Sequence, residues 1–338
     1  MIHRFFIFIW VWCFSLYAIT TDFDDVVVGT SPISMFEAIY RSCLGHKVLV
    51  VEQAQECGGA WKSITICGIE HVDMGCHEFG GNKKVGKFLE EYAGCKIFPN
   101  ALYPSHGCYE LTHHLQLLMQ KVGTILMLGS RVESVYVDTA RHLVQVKVNG
   151  RRLTTKKMVV THCSEISFEN SLSTSPVVRV KYPHIYLLVE DSTPVRFSYK
   201  HLSVQGVARA MNVTPFVGLE GSGMQLLAFQ VYSDKYLQSA DLCLNELKQM
   251  GLIDEKARIL RQENYTYEQG SFNQAALYQI GPEAAAMFDV LNTGHIANIG
   301  IYSEKWKKAM RPWKTILLNP AKWLRLVRAR CGKSGIIG

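Results

Sequence analysis

The stretch VVVGTSPISMFEAIY, from Val26 to Tyr40, constrains the fold more than any other part of the sequence. It begins with three consecutive valines, which are typical of a strand buried on both faces. After the turn at Gly29, apolar residues recur at spacings of three and four, which predicts a helix with one apolar side. The run Val48–Val51 predicts a second buried strand. The sequence therefore predicts a parallel βαβ unit over residues 26–51.

The turn between the first strand and the helix is where this unit binds a nucleotide when it carries the pattern GxGxxG. Here the three glycine positions hold Gly29, Ser31 and Ser34. Ser31 is a favoured N-cap residue, and Pro32 suits the first helical position. Glu52 follows the second strand, 23 residues after Gly29, near the ~20-residue spacing at which an acid binds a ribose hydroxyl. We interpret the turn as a variant pyrophosphate loop.

The next segments predict further elements of the same α/β fold. Paired glycines, Gly58 and Gly59, precede Trp61 and Lys62 and permit close approach of a ligand to the backbone. Residues 107–119 have the apolar spacing of a helix, on which adjacent histidines at 113 and 114 cannot share one metal. Alternating runs predict strands from residue 124, with a hairpin at Asn149–Gly150. Residues 177–232 predict a mostly antiparallel sheet, followed by a helix at about 239–251.

Composition and charge narrow the classes of partner. A chain of 338 residues with 48% hydrophobic residues is globular. Its net charge is +7, but residues 304–338 carry ten basic side chains and one acidic side chain, which leaves −2 for the rest. We therefore expect that the protein does not bind nucleic acid. The cysteines occur singly and HExxH is absent, which favours free thiols and predicts no metal site.

The two ends of the chain suggest a membrane environment. Arg4 precedes an uncharged apolar run of fifteen residues, Phe5–Ile19, which fits a signal peptide or an uncleaved anchor. Trp323 and Leu324 lie among basic residues of the tail, a composition suited to a membrane surface. We expect a protein of the secretory pathway or one associated with a membrane. A cytoplasmic protein with an inert extension and a solvated tail is the alternative.

The order of these segments carries a family resemblance. The segments are, in order, VVVGTSPIS with Glu52, then GGAWKS, VDMGCHEF, GCYELTHHL, LGSRVESVYVD and KMVVTH. In this order they resemble the flavoprotein group of amine oxidases, protoporphyrinogen oxidase and UDP-galactopyranose mutase. The Rab escort proteins and GDP-dissociation inhibitors share this architecture. The resemblance implies an α/β fold with a Rossmann-type FAD/NAD(P)-binding domain and an inserted, mostly antiparallel α+β substrate domain. It covers residues 24–163 well and the region to about residue 310 more loosely.

The resemblance also implies roles for individual residues. FAD would contact Gly29, Ser31, Pro32, Ser34, Glu52, Gly58, Gly59, Trp61, Val132 and Gly294. Val132 matches a valine whose backbone meets the adenine, and Asp73, Gly75 and His77 match a stretch near the isoalloxazine. Lys62 and His77 are the candidate catalytic residues. Gly294 is followed by His295 where the group has an acid.

The resemblance divides the chain into four parts: a hydrophobic segment at 1–21, the FAD/NAD(P)-binding domain at 22–168 and 281–312, the substrate domain at 169–280, and a basic tail at 313–338. The leading hypothesis is an FAD-dependent oxidoreductase acting on a small or lipid-derived substrate. A flavin-dependent sugar-nucleotide mutase and a non-catalytic binding or escort protein on a degenerate flavin fold are the alternatives.

Overall fold

The computed structural model describes residues 21–75, 95–98, 101–104, 106–138, 140–160, 167–169, 178–271, 296–298 and 329. The predicted sites at His77 and Gly294 lie outside these ranges, as do the apolar segment before residue 21 and most of the tail. Within these ranges, no helix is long and apolar enough to cross a bilayer.

The first half of the described chain combines two α-helices with ten strands. Its elements are β1 (Phe23–Val28), α1 (Pro32–Cys43), β2 (Val48–Val51), β3 (Ser63–Ile66), β4 (Ile69–Asp73), β5 (Cys95–Phe98), β6 (Ala101–Pro104), α2 (Gly107–Lys121), β7 (Ile125–Met127), β8 (Val132–Asp138), β9 (Leu143–Val148) and β10 (Arg151–Val160). The predicted βαβ unit is therefore confirmed, as are the helix at 107–119 and the strands that follow it.

The second half is built mostly from strands. Its elements are β11 (Ser167–Phe168), β12 (Val178–Glu190), β13 (Tyr199–Lys200), β14 (Val207–Asn212), β15 (Met224–Val231), α3 (Ala240–Gln249), β16 (Arg258–Ser271) and β17 (Ile296–Asn298). The predicted helix near residues 239–251 is confirmed as α3.

The larger sheet has the order β11-β8-β9-β10-β1-β2-β7, and β17 also pairs with β10. β1 runs parallel to both β2 and β10, and β2 runs parallel to β7. The hairpin between β9 and β10 turns at Asn149 and Gly150, both with positive φ, as the Asn-Gly pair predicted. α1 and α2 pack together in one apolar cluster with β1 and β2, while residues of β8 and β9 pack in a second cluster.

The second sheet is antiparallel and has the order β13-β14-β15-β12-β16. Residues of α3 pack in an apolar cluster with β12, β14 and β15. A separate cluster joins β12, β14 and β15 to the hairpin β3–β4 and to Cys108 at the start of α2. The fold class predicted from sequence, a parallel α/β sheet combined with an antiparallel sheet, is confirmed.

Candidate functional site

The loop between β1 and α1 lies at the carboxyl ends of the parallel strands, where α/β sheets bind their ligands. Gly29 has a φ of +89°, which favours glycine, and its amide donates to the carbonyl of Val51 at 2.8 Å. Ser31 is the N-cap of α1, and its Oγ accepts from the amide of Ser34. Pro32 occupies the first turn of the helix. The start of α1 is therefore positioned as an anion site, with the positive end of the helix dipole facing the loop.

Glu52 organises this loop from the end of β2. Its Oε2 accepts from the amide of Thr30 at 2.9 Å and from the Thr30 hydroxyl at 2.7 Å, and its Oε1 accepts from the amide of Ala54 at 2.8 Å. The residue is 6% exposed. A carboxylate has about four acceptor positions, and within the described part of the chain three of them are occupied by these bonds; the predicted contact with a ribose stays a prediction.

The glycine pair at 58 and 59 packs against the same loop. The amide of Gly58 reaches both the carbonyl and the hydroxyl oxygen of Thr30, at 3.1 and 3.0 Å. A Cβ on Gly58 would lie 3.1 Å from the backbone of Lys62, and one on Gly59 would lie 3.7 Å from the amide nitrogen of Ser31. The two segments are therefore in close backbone contact, and glycine at 58 is required by both space and a φ of +121°.

The segment that leads into β8 closes the other side of Glu52. The amide of Glu52 donates to the carbonyl of Met127, and the amide of Ser130 donates back to the carbonyl of Glu52, at 2.9 and 2.8 Å. Val132 opens β8 two residues later and is buried. The structure thus brings Val132 into the neighbourhood of Glu52 and the loop, and its proposed contact with adenine stays a prediction.

Asp73 and Gly75, predicted near the isoalloxazine, form hydrogen bonds that connect separate elements of the fold. The Asp73 carboxylate is buried, accepts from the Ser63 hydroxyl at 2.9 Å, and accepts from the amide of Cys108 in the first turn of α2 at 2.8 Å. The Tyr186 hydroxyl donates to the carbonyl of Asp73 and accepts from the amide of Gly75, both at 2.9 Å. These contacts give both residues a structural role; their proximity to a flavin ring stays a prediction.

Trp61 and Lys62 follow the glycine pair. Trp61 packs at the edge of the apolar cluster that joins the β3–β4 hairpin to the antiparallel sheet. Lys62 is 30% exposed, with its Nζ 3.5 Å from the Glu56 carboxylate. Neither contact tests the predicted cofactor or catalytic role.

The thiol of Cys57, beside the glycine pair, is unreactive. Cys43, Cys57, Cys67, Cys108 and Cys243 form no disulfide, and four of them are buried. Burial, with a smaller effect of the Glu52 charge, raises the pKa of Cys57 to about 11. A thiol with this pKa is protonated near neutral pH and is a poor nucleophile. Among the described residues, no cluster of three or more potential metal ligands occurs.

Thr30 is the main residue of the loop that the sequence did not single out. Its amide and hydroxyl bind Glu52, and its carbonyl and hydroxyl oxygens bind Gly58. Its position between Gly29 and Ser31 could have indicated this role, because a hydroxyl there can bind the acid at the end of the neighbouring strand, Glu52.

Comparison with solved structures identifies the fold. The chain is similar to reduced UDP-galactopyranose mutase, with a TM-score of 0.60, 11% sequence identity, and coverage of 92% of this chain and 97% of that one. It is also similar to an oxidoreductase from Methanosarcina mazei, with a TM-score of 0.51, 11% identity, and coverage of 71% and 87%. The chain therefore has the fold of these two proteins, a Rossmann-type α/β sheet combined with an antiparallel sheet. No family model matches the chain, and no curated protein matches its sequence.

The geometry of the flavoprotein-like loop fits FAD. The pyrophosphate of FAD needs a backbone turn and a helix N-terminus, which Gly29 and the first turn of α1 supply. The ribose of FAD needs an acceptor at the end of β2, where the Glu52 carboxylate lies with three hydrogen bonds from Thr30 and Ala54. The serine at position 31 adds a side chain where the usual fingerprint has none, but that side chain is bonded within the helix N-terminus to Ser34.

Proposed function

We propose that this protein is an FAD-dependent oxidoreductase acting on a small or lipid-derived substrate. The observation that carries the proposal is the junction of Thr30, Glu52 and Gly58 at the start of α1, which preserves the form of a pyrophosphate loop although two fingerprint glycines are serines. The FAD-binding fold supports it.

In this proposal each segment has a separate task. The N-terminus of α1 binds the pyrophosphate, and Glu52 accepts a hydrogen bond from the adenosine ribose. Gly58 and Gly59 hold the second segment against the loop, so that the phosphates meet backbone amides. When bound, FAD supplies the electron transfer, while the protein orients it. Lys62 and His77 remain the candidates for proton transfer at the substrate.

The loop can be tested by placing a charge at the N-cap of α1. Both Ser31→Asp and Ser31→Asn keep a good N-cap, so the free energy of unfolding of the apoprotein should change by less than about 1 kcal/mol. Two like charges about 5 Å apart at an effective dielectric constant of about 20 repel by about 3 kcal/mol. We therefore expect the aspartate to weaken FAD binding by about 100-fold and the isosteric asparagine to leave it within about tenfold.

The measurement is the flavin absorbance near ~450 nm of purified protein, with titration of added FAD into apoprotein. Wild-type protein that contains no flavin and takes up none would refute the proposal. Equal affinity of the aspartate and asparagine variants would place the pyrophosphate elsewhere.

A sugar-nucleotide mutase is the second candidate, favoured by the similarity to UDP-galactopyranose mutase over nearly the whole length of both chains. It predicts interconversion of a UDP-sugar by protein carrying reduced flavin, with no electron acceptor consumed. An oxidoreductase instead requires stoichiometric acceptor.

A non-catalytic binding or escort protein is the third candidate. It is favoured by Glu52, which already accepts three hydrogen bonds from its own chain and is nearly closed to solvent. It predicts that no flavin is bound, so the same spectrum separates it from both enzymes.

A further inference from the structure

A cleft of about 520 Å³ opens between α2 and the hairpin β3–β4, beside the glycine pair. We call it the α2 cleft. The variant pyrophosphate loop contributes none of its lining, which consists of Glu56, Cys57, Lys62, Ser63, Ile64, Thr65, Glu70, His71, Tyr109, Thr112, His113 and Gln116. The cleft is therefore separate from the loop to which we assign the cofactor phosphates.

Three stacked rings form one wall of the α2 cleft. His71, on β4, stacks on Tyr109 of α2 with ring centroids 3.8 Å apart and planes inclined by 24°. Tyr109 stacks in turn on His113, one helical turn later, at 5.7 Å and 7°. Tyr109 is 39% exposed. Near-parallel rings held at the surface by two different elements offer a preformed platform for another flat ring, because stacking needs no rearrangement.

The charges around this wall favour a cation. Lys62 and Glu56 lie 3.5 Å apart and offset each other. Glu70 is exposed on β4, next to His71, and pairs with no basic group in the described part of the chain. An unpaired carboxylate attracts positive charge, and so do the faces of aromatic rings, through their quadrupole.

We propose that the α2 cleft is a second ligand site, which binds a planar aromatic cation against the His71–Tyr109–His113 wall with Glu70 as its counter-charge. The proposal goes beyond the function proposed above and does not depend on it. It includes no chemical step, and the Cys57 thiol in the lining is buried with a raised pKa.

Three probes of one shape and different charge test it: N-methylquinolinium, quinoline and quinoline-6-carboxylate. Binding to the full chain is measured by calorimetry at about pH 8. We expect the cation to bind about fivefold or more tightly than the neutral ring, and the anion to bind most weakly.

Two variants separate the ring wall from the charge. Tyr109→Leu should weaken the cation about fivefold or more and also weaken quinoline, because both lose the stacking surface. Glu70→Gln should leave quinoline unchanged and bring the cation to within about twofold of it. The controls are His114→Ala, on the same helix but outside the cleft lining, and Glu255→Gln, an exposed acid of another segment.

The outcomes are decisive in both directions. Equal binding of the three probes, no binding at all, or unchanged affinity in Tyr109→Leu and Glu70→Gln overturns the proposal. Unfolding curves show whether each variant is folded, and Glu70→Gln, at an exposed position, keeps the test open if Tyr109→Leu misfolds. Displacement of the cation by FAD would make the cleft part of the cofactor site and would overturn its assignment as a second site.

Discussion

The Tyr186 hydroxyl provides the sharpest test of how the antiparallel sheet is joined to the β3–β4 hairpin. Tyr186 lies on β12 of the antiparallel sheet and is fully buried. Its hydroxyl donates to the carbonyl of Asp73 and accepts from the amide of Gly75, both at 2.9 Å, at the end of the β3–β4 hairpin. Tyr186→Phe removes this hydroxyl and keeps the ring packing, so the loss of stability reports on the two hydrogen bonds.

The expected magnitude follows from what remains after the change. Each hydrogen bond contributes about 0.5–1.5 kcal/mol, which gives about 1–3 kcal/mol for two. The amide of Gly75 also donates to the carbonyl of Asp73 at 2.9 Å, so neither group is left wholly without a partner. We therefore expect the lower part of that range, a loss of about 1–2 kcal/mol in the free energy of unfolding.

Urea unfolding followed by circular dichroism measures this loss. With an m-value of about 3 kcal/mol/M, the midpoint should fall by about 0.3–0.7 M. The matched control is Tyr136→Phe, at a half-buried position on β8, for which we expect a change of less than about 0.5 kcal/mol. If both variants shift the midpoint equally, the hydrogen bonds between the antiparallel sheet and the β3–β4 hairpin contribute no measurable stability and the reasoning is wrong.

Three further predictions concern the same framework. Gly107→Ala should destabilise the fold by more than about 2 kcal/mol, because the new Cβ would lie 2.8 Å from the Asp73 carboxylate. The control is Gly123→Ala, which has a similar positive φ but open space around the new Cβ, so it should cost only about 1 kcal/mol of backbone strain. Thermal unfolding of the two variants measures the difference. Arg41→Met should cost about 3–5 kcal/mol in urea unfolding, since it strands the two buried carboxylates that its guanidinium contacts. Lys157→Met should stabilise the protein at neutral pH, because burial, and next the Arg41 charge, lowers the pKa of Lys157. The destabilisation by the buried charged lysine is complete below that lowered pKa and disappears as pH rises towards 10.5. The stability gained by Lys157→Met should therefore shrink when unfolding is measured at rising pH. A gain in stability that grows with pH contradicts this prediction.

The regular elements were predictable because their signals are local. Consecutive valines, the N-cap at Ser31 and the Asn149–Gly150 turn each act over a few residues, and each appears in the structure where the sequence placed it. The acid at the end of β2 was predictable for the same reason, since the length of a βαβ unit fixes its spacing.

The tertiary contacts depend on residues far apart in the sequence. Asp73 meets the first turn of α2 at Cys108, 35 positions later, and Tyr186 meets Gly75 across 111 positions. No periodicity encodes such pairs, because they arise only when separate elements pack. The same holds for the α2 cleft, whose ring wall combines a strand and a helix.

The sequence by itself determined the parallel βαβ unit, the position of Glu52 at its carboxyl end, and the antiparallel character of the second sheet, because hydrophobic periodicity and turn chemistry act at short range. The tertiary structure alone decided what these residues contact. It directed Thr30 and Ala54 onto Glu52, made Asp73 a buried partner of α2, and joined the antiparallel sheet to the β3–β4 hairpin through Tyr186. Buried polar groups are stable only when they are hydrogen-bonded, and the packing of the elements determined which groups lie close enough to bond.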